Sequence, residues 1–386
     1  MSVNAEQEFL KEIARGPALK TGPDTKIEAI FADNNINWDV FKQLIIYHQL
    51  IPLAYLRLKD LIGSLPAELA GFIKNNSYAT LQRSHRFWRE FTRIAGAFER
   101  SAVTLVPIKG VAFLADIYQD TFLRQMVDID LLVQEEGYSH AEAILLDLGY
   151  KKELHGFKEE YWRENQYHIA FLRNNSSVMH RVELHWALDY KRKKRRLLPE
   201  IWQRLRDIQY DGKIIKLLSP EDSLFSLALH SRRFGENLCL KNVYDAILLM
   251  RKHEERFDWD YCLAMSEKYD MRTTLFFLLV QMQSFSGYAV PEHILKKLDI
   301  PALRRKAIRM FIARNTFSIK KLLRRNDIYL QLHFLLHDNI LESLAYAINV
   351  PREQFAKFYG LKAYSKKTGF LYHWRFLYIL KKLLVK

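Results

Sequence analysis

The chain has 386 residues, 49% of them hydrophobic and 13% aromatic, enough for a large core and two or three lobes, which excludes a disordered protein. Its two cysteines, Cys239 and Cys262, lack CxxC spacing and a partner cluster, which excludes a disulfide framework and a thiolate zinc site and fits a reducing cytoplasm. Net charge is +15, and the segment from Pro301 to Lys386, with 18 Lys and Arg against 4 Asp and Glu, carries nearly all of it.

The opening MSVNAEQEFLKEIARG has no apolar export segment. No later stretch approaches the roughly 18 uninterrupted apolar residues of a spanning helix, so the chain is expected to be neither exported nor transmembrane. Residues 5 to about 104 read as helices, from three-to-four apolar spacing in VFKQLIIYHQLIPLAYLRLKDL and SYATLQRSHRFWREFTRIAGAFER, punctuated by Pro52 and Pro66.

From Leu105 to Leu188 the texture changes. TLVPIKG reads as a strand and turn, followed by a helix from about Val111 to Ile117, a buried strand in VDIDLLV and a helix across SHAEAILLDLGY. YHIAFL and VMHRVELHW then form a hairpin about the turn RNNSS, which makes this section a small mixed sheet with helices on it. KRKKRR at 191–196 is either a phosphate-contacting loop or a solvated turn, and the mutual repulsion of six like charges favours the second.

After Pro220 the pattern is helical to the end, opening with PEDSLFSLALH behind a Ser219 cap. The basic C-terminal surface suits an anionic partner (nucleic acid, acidic protein, phospholipid or phosphorylated substrate), or serves only as a solvated face. Its last segment, GFLYHWRFLYILKKLLVK, could lie on an anionic membrane surface, but aromatics so dense favour packing on the preceding helices. The expectation is an α+β protein of three parts: a helical lobe over 1–104, a sheet-bearing unit over 105–218 and a helical lobe with a basic tail over 219–386.

The chemistry concentrates in VDIDLLV. Strand alternation puts Asp128 and Asp130 on one face and Val127, Ile129, Leu131 and Val133 on the other. Two carboxylates that close raise each other's pKa unless a cation lies between them, which points to a divalent metal. An isolated Asp-x-Asp also reads as a turn or edge pair, but hydrophobic flanks on both sides disfavour that. Glu183 in RVELHW puts a third acid on a second strand, and three such acids suit Mg²⁺. Upstream, PIKG joins a strand to a helix, so Gly110 permits close backbone approach, Lys109 adds a positive charge and Arg124 supplies a planar fork for phosphate oxygens. His168, His180 and His185 lie on or beside the hairpin, where a histidine near an acid serves as base, ligand or ordinary packing.

Residues 105–150, LVPIKGVAFLADIYQDTFLRQMVDIDLLVQEEGYSHAEAILLDLGY, run lysine-glycine, tyrosine, arginine, Asp-x-Asp-Leu-Leu-Val, leucine-glycine-tyrosine. In this they resemble the bacterial "uncharacterised nucleotidyltransferase" family of the polymerase-β-like superfamily. The likeness continues through VELHWAL, SPEDSLFSLALH and FDWDYCLAMSEKY, roughly residues 40 to 300, and more faintly in VPREQFAKFYG. It implies a nucleotidyltransferase palm between helical lobes, moving an NMP group from an NTP to an acceptor hydroxyl or phosphate with Mg²⁺ or Mn²⁺ and releasing pyrophosphate.

By the same resemblance Asp128, Asp130 and Glu183 hold the metals, and Lys109, Gly110 and Arg124 hold the triphosphate. His168, His230, Lys241 and Asp245 line the cleft, with helix packing the alternative for the last three. The chain departs from the superfamily in having Lys109-Gly110-Val111 where glycine-serine is usual, and Glu183 where aspartate is commoner. Two rivals keep the scaffold: a nucleotide-binding regulatory module without turnover, and a basic polyanion-binding protein.

Overall fold

The computed structural model describes residues 5–15, 25–32, 36–118, 122–175, 178–189, 199–233, 239–317, 332 and 334–374. KRKKRR, residues 176 and 177 of the RNNSS turn, and residues 375–386 lie outside them.

Five helices come first: α1 (Ala5–Arg15), α2 (Thr25–Ala32), α3 (Trp38–Tyr47), α4 (Ile51–Leu58) and α5 (Ala67–Phe98). Asn37 caps α3, its side-chain oxygen accepting from the N–H groups of Asp39 and Val40 at 3.1 Å each. Pro52 lies in the first turn of α4 and Pro66 at the N-cap of α5, positions where a missing N–H costs nothing.

The middle section holds β1 (Val106–Ile108), α6 (Gly110–Asp116), β2 (Ile129–Leu132), α7 (Tyr138–Asp147), β3 (Lys151–Glu153), α8 (Glu159–Asn165), β4 (His168–Asn175) and β5 (Val178–His185). The sheet order is β1-β2-β5-β4-β3, with β2 and β5 parallel and the other neighbours antiparallel. Helix α5 packs against α6 and α7.

Beyond α9 (Glu200–Gln203), β6 (Arg206–Tyr210) and β7 (Lys213–Leu217) make a separate hairpin about Asp211-Gly212, both with positive φ, at 51° and 71°. That pair of left-handed residues is what a two-residue hairpin turn requires.

The C-terminal helices are α10 (Pro220–Arg233), α11 (Leu240–His253), α12 (Trp259–Lys268), α13 (Arg272–Ser286), α14 (Glu292–Lys297), α15 (Ala302–Asn315), α16 (Ile340–Ile348), α17 (Arg352–Phe358) and α18 (Lys366–His373). Ser219 caps α10, its Oγ accepting from the Asp222 N–H at 3.1 Å and donating to Asp222 Oδ2 at 2.8 Å. Helix α13 is buried continuously from Thr273 to Met282 and packs against α1, α10, α11, α12 and α15, which explains a sequence apolar on every side. One apolar core runs from Phe9 to Leu336. No described helix is long and apolar enough to cross a membrane.

VDIDLLV is only partly a strand. Pairing starts with Ile129 opposite Val182 and Asp130 opposite Ile108, so Val127 and Asp128 precede the ladder. Val127 consequently does not pack with Ile129, Leu131 and Val133 as alternation predicts, but is 69% exposed while those three are buried.

Candidate active site

The chain leaves β1 through Lys109, whose φ of 52° lies in the left-handed region that favours glycine. Holding a lysine there costs about 1–3 kcal/mol, which the fold tolerates where it gains a placed side chain. Here the placement is specific. Ile108 is opposite Asp130 across the β1–β2 pair, and the Lys109 Nζ lies 3.2 Å from Asp130 Oδ1, both side chains nearly buried.

On the other side of β2, Asp130 is opposite Glu183 in the parallel pair with β5. Alternation then puts His185, two residues on, on the same face, and His185 faces His168 across the β4–β5 pair. The His185 Nε2 lies 3.1 Å from Asp130 Oδ1 and 3.6 Å from Glu183 Oε2; the His168 Nε2 lies 3.5 Å from the same Glu183 oxygen. Arg181 Nη2, 3.3 Å away, engages the other oxygen, Oε1. The His185 Nδ1 is buried without a hydrogen bond among the described residues.

These surroundings set the charge states. Burial would raise Asp130, but the Lys109 ammonium and then His185 hold it well below the carboxylate range. For the partly buried Glu183 the desolvation would likewise raise the pKa, but His168 and His185 hold it down to about 2. Among the described residues Asp128 makes no ion pair, and Lys109 and Lys241 act on it only through weaker electrostatic attraction. Burial, followed by the negative charges of Asp130 and Glu183, pushes it up to about 7.

A second polar group stands behind the Gly110 turn. Arg124 grips the fully buried Asp245 of α11 with Nε at 3.1 Å and Nη2 at 2.7 Å, and the Tyr118 hydroxyl donates to Asp245 Oδ1 at 2.9 Å. Ser84 of α5 holds the Arg124 carbonyl at 3.1 Å, and Lys241 donates to the Gln125 carbonyl at 3.2 Å. Burial, then repulsion from Arg124, lowers the Lys241 pKa. Arg124 Nη1 has no hydrogen bond among the described residues and faces Gly110: a Cβ added to that glycine would lie 3.9 Å from it and 3.6 Å from the Asp128 carbonyl. Those are ordinary contacts, so packing alone does not demand glycine there.

The structure thus gathers Lys109, Asp130, Glu183 and His168 around one end of β2 and β5, with Asp128 just before the strand. Arg124, Lys241 and Asp245 form the adjoining wall, and Asp245 acts there by fixing Arg124. His230 is half-buried on α10, and His180 lies near the far end of β5. His185 is the residue that the sequence leaves undistinguished among three histidines; its position two residues after Glu183 on a strand was the available signal. The donors suit a hard divalent cation: two carboxylates with one at about 7 are a charge conflict that such an ion relieves.

A family described as "Uncharacterised nucleotidyltransferase" matches residues 34–287. No curated protein matches. Among solved structures, the solution structure of the antibiotic-resistance factor ANT(2'')-Ia is similar at 17% identity, covering 48% of this chain and 94% of that one with a TM-score of 0.34.

Proposed function

Because the chain belongs to the uncharacterised nucleotidyltransferase family, we propose that it transfers an NMP group from an NTP to an acceptor hydroxyl or phosphate, with pyrophosphate leaving. The observation that carries this reading is the cross-strand pairing of Asp130 with Glu183, with Lys109 beside Asp130 and Asp128 just ahead of it. Mg²⁺ or Mn²⁺, held by Asp128, Asp130 and Glu183, would neutralise the triphosphate and lower the acceptor's pKa.

The chain's own groups do the rest. Arg124, held in one orientation by Asp245, presents Nη1 to a phosphate oxygen over Gly110. Lys109 balances Asp130 while the site is empty and turns its ammonium to the triphosphate once a metal takes over that carboxylate. Lys241 adds positive potential from α11 without needing to touch the nucleotide. The cleft would lie between the sheet of β1–β5 and the helices from α10 onward.

Parallel incubations with α-labelled and γ-labelled NTPs, Mg²⁺ and a cell extract test the reaction type. Transfer of α-label to an acceptor, with γ-label recovered as pyrophosphate, is expected. Movement of γ-label to the acceptor would mean phosphoryl transfer instead and would sink the proposal.

A further inference from the structure

We propose that His168, His185 and Glu183 form a binding site for a first-row transition ion of the zinc or iron(II) class, distinct in chemistry from the all-oxygen site at Asp128 and Asp130. Their ligand atoms all lie within 4.8 Å of one another. More telling are the two nitrogen–oxygen separations, 3.5 Å from His168 Nε2 and 3.6 Å from His185 Nε2 to the same Glu183 oxygen. Two ligands bonded at ~2.05 Å to a tetrahedral centre stand ~3.4 Å apart, so the pairs already have the spacing of a zinc polyhedron.

The surroundings prepare these atoms for a metal. His168 and His185 are register partners on β4 and β5, which fixes their rings side by side with centroids 4.8 Å apart. Arg181 occupies Glu183 Oε1, leaving Oε2 to the histidines. The exposure is graded: the His185 side chain is 1% accessible, His168 12% and Glu183 15%, so one edge of the triad reaches solvent and a fourth position can take water or another oxygen ligand. Two imidazoles discriminate against Mg²⁺, which prefers oxygen and retains its waters, and in favour of softer first-row ions.

The ion's occupancy is independent of turnover. Any role in activating the acceptor rests on the transfer reading above, because Glu183 serves both. The test is titration of the metal-free full-length chain with Co²⁺, read by visible absorption. One equivalent is expected to give the intense bands of four- or five-coordinate cobalt, displaced by equimolar Zn²⁺ but by Mg²⁺ only at a large molar excess, because Glu183 is the one ligand the two ions share. The His168→Ala variant, at a partly exposed position, should weaken binding at least tenfold with its circular dichroism unchanged; His185→Ala should do the same, and Asp128→Asn should keep the bands. X-ray absorption of the zinc-loaded protein should show two imidazole nitrogens. Absence of Co²⁺ binding, or weak octahedral bands that survive His168→Ala, overturns the site. Neither result alters the α-label measurement, which judges the transfer reading separately.

Discussion

Asp130 and Glu183, 53 positions apart in sequence, are direct partners in the parallel pairing of β2 with β5, and both have a histidine nitrogen within 3.6 Å. Parallel register holds their carboxylates on one face at a fixed spacing, while Asp128, outside the ladder, lacks that support. The three acids therefore stand in unequal surroundings.

Asp128 should weaken the metal-free fold as pH rises. Its folded pKa of about 7 is above the ordinary carboxylate value of 3.8, so ionising it costs the native state: no penalty below about pH 4, a growing one to about pH 7, and the full one above. Asp128→Asn removes the ionisable group. In EDTA its melting temperature should exceed wild type by about 2–5 °C at pH 8 and by clearly less at pH 4.5, where only the first part of the penalty has set in. A difference that does not change with pH would show that Asp128 is not the strained acid.

Lys109→Ala should separate two roles of one ammonium. Losing it leaves the nearly buried Asp130 with His185 alone, and destabilisation of about 1–3 kcal/mol is expected in EDTA, recovered with Mg²⁺. NTP affinity should fall far more than nucleoside affinity, since no part of Lys109 is aimed at a base. Equal losses for both ligands would make Lys109 only a support for the strand–helix junction.

Gly110→Ala tests the gap beside Arg124. The nearest contacts of the new methyl, 3.6 Å and beyond, are ordinary, so the melting temperature should hold or rise slightly within α6. Binding of NTP, measured by calorimetry, should nevertheless weaken at least tenfold because the methyl fills the place of a phosphate oxygen. Unchanged affinity would move the triphosphate elsewhere.

Much of this was legible in the sequence wherever the signal was local. The turn in PIKG, the Ser219 cap and the paired runs about RNNSS each follow from neighbours a few residues apart. The β6–β7 hairpin has a local signal too, Asp211-Gly212 between alternating runs, but its strands are more polar than those of the main sheet and stand out less. What sequence cannot display is distance pairing. The bond of Arg124 to Asp245 spans 121 positions, so in the sequence Arg124 reads as a free guanidinium although its Nε and Nη2 are already engaged. Strand ends are similarly hidden: alternation assigns Val127 inward, and only the point where β1 and β5 begin to pair shows it outside.

Glu183→Gln separates binding from chemistry. Asp128 and Asp130 should keep most of the affinity for a Mg²⁺-bound non-hydrolysable NTP analogue, while single-turnover transfer falls by a factor of at least ~10² with the loss of the charge that helps activate the acceptor. Calorimetry set beside rapid-quench kinetics measures both. Normal transfer would remove Glu183 from the reaction, and complete loss of nucleotide binding would place it in a shared metal cluster.

The most direct measurement is single-turnover transfer of α-label by the Asp128→Asn/Asp130→Asn double variant, which keeps side-chain shape and removes the charge that holds metal. Transfer should fall by at least ~10³ while circular dichroism stays as in wild type. A folded double variant that transfers label at the wild-type rate would contradict the assignment of this site.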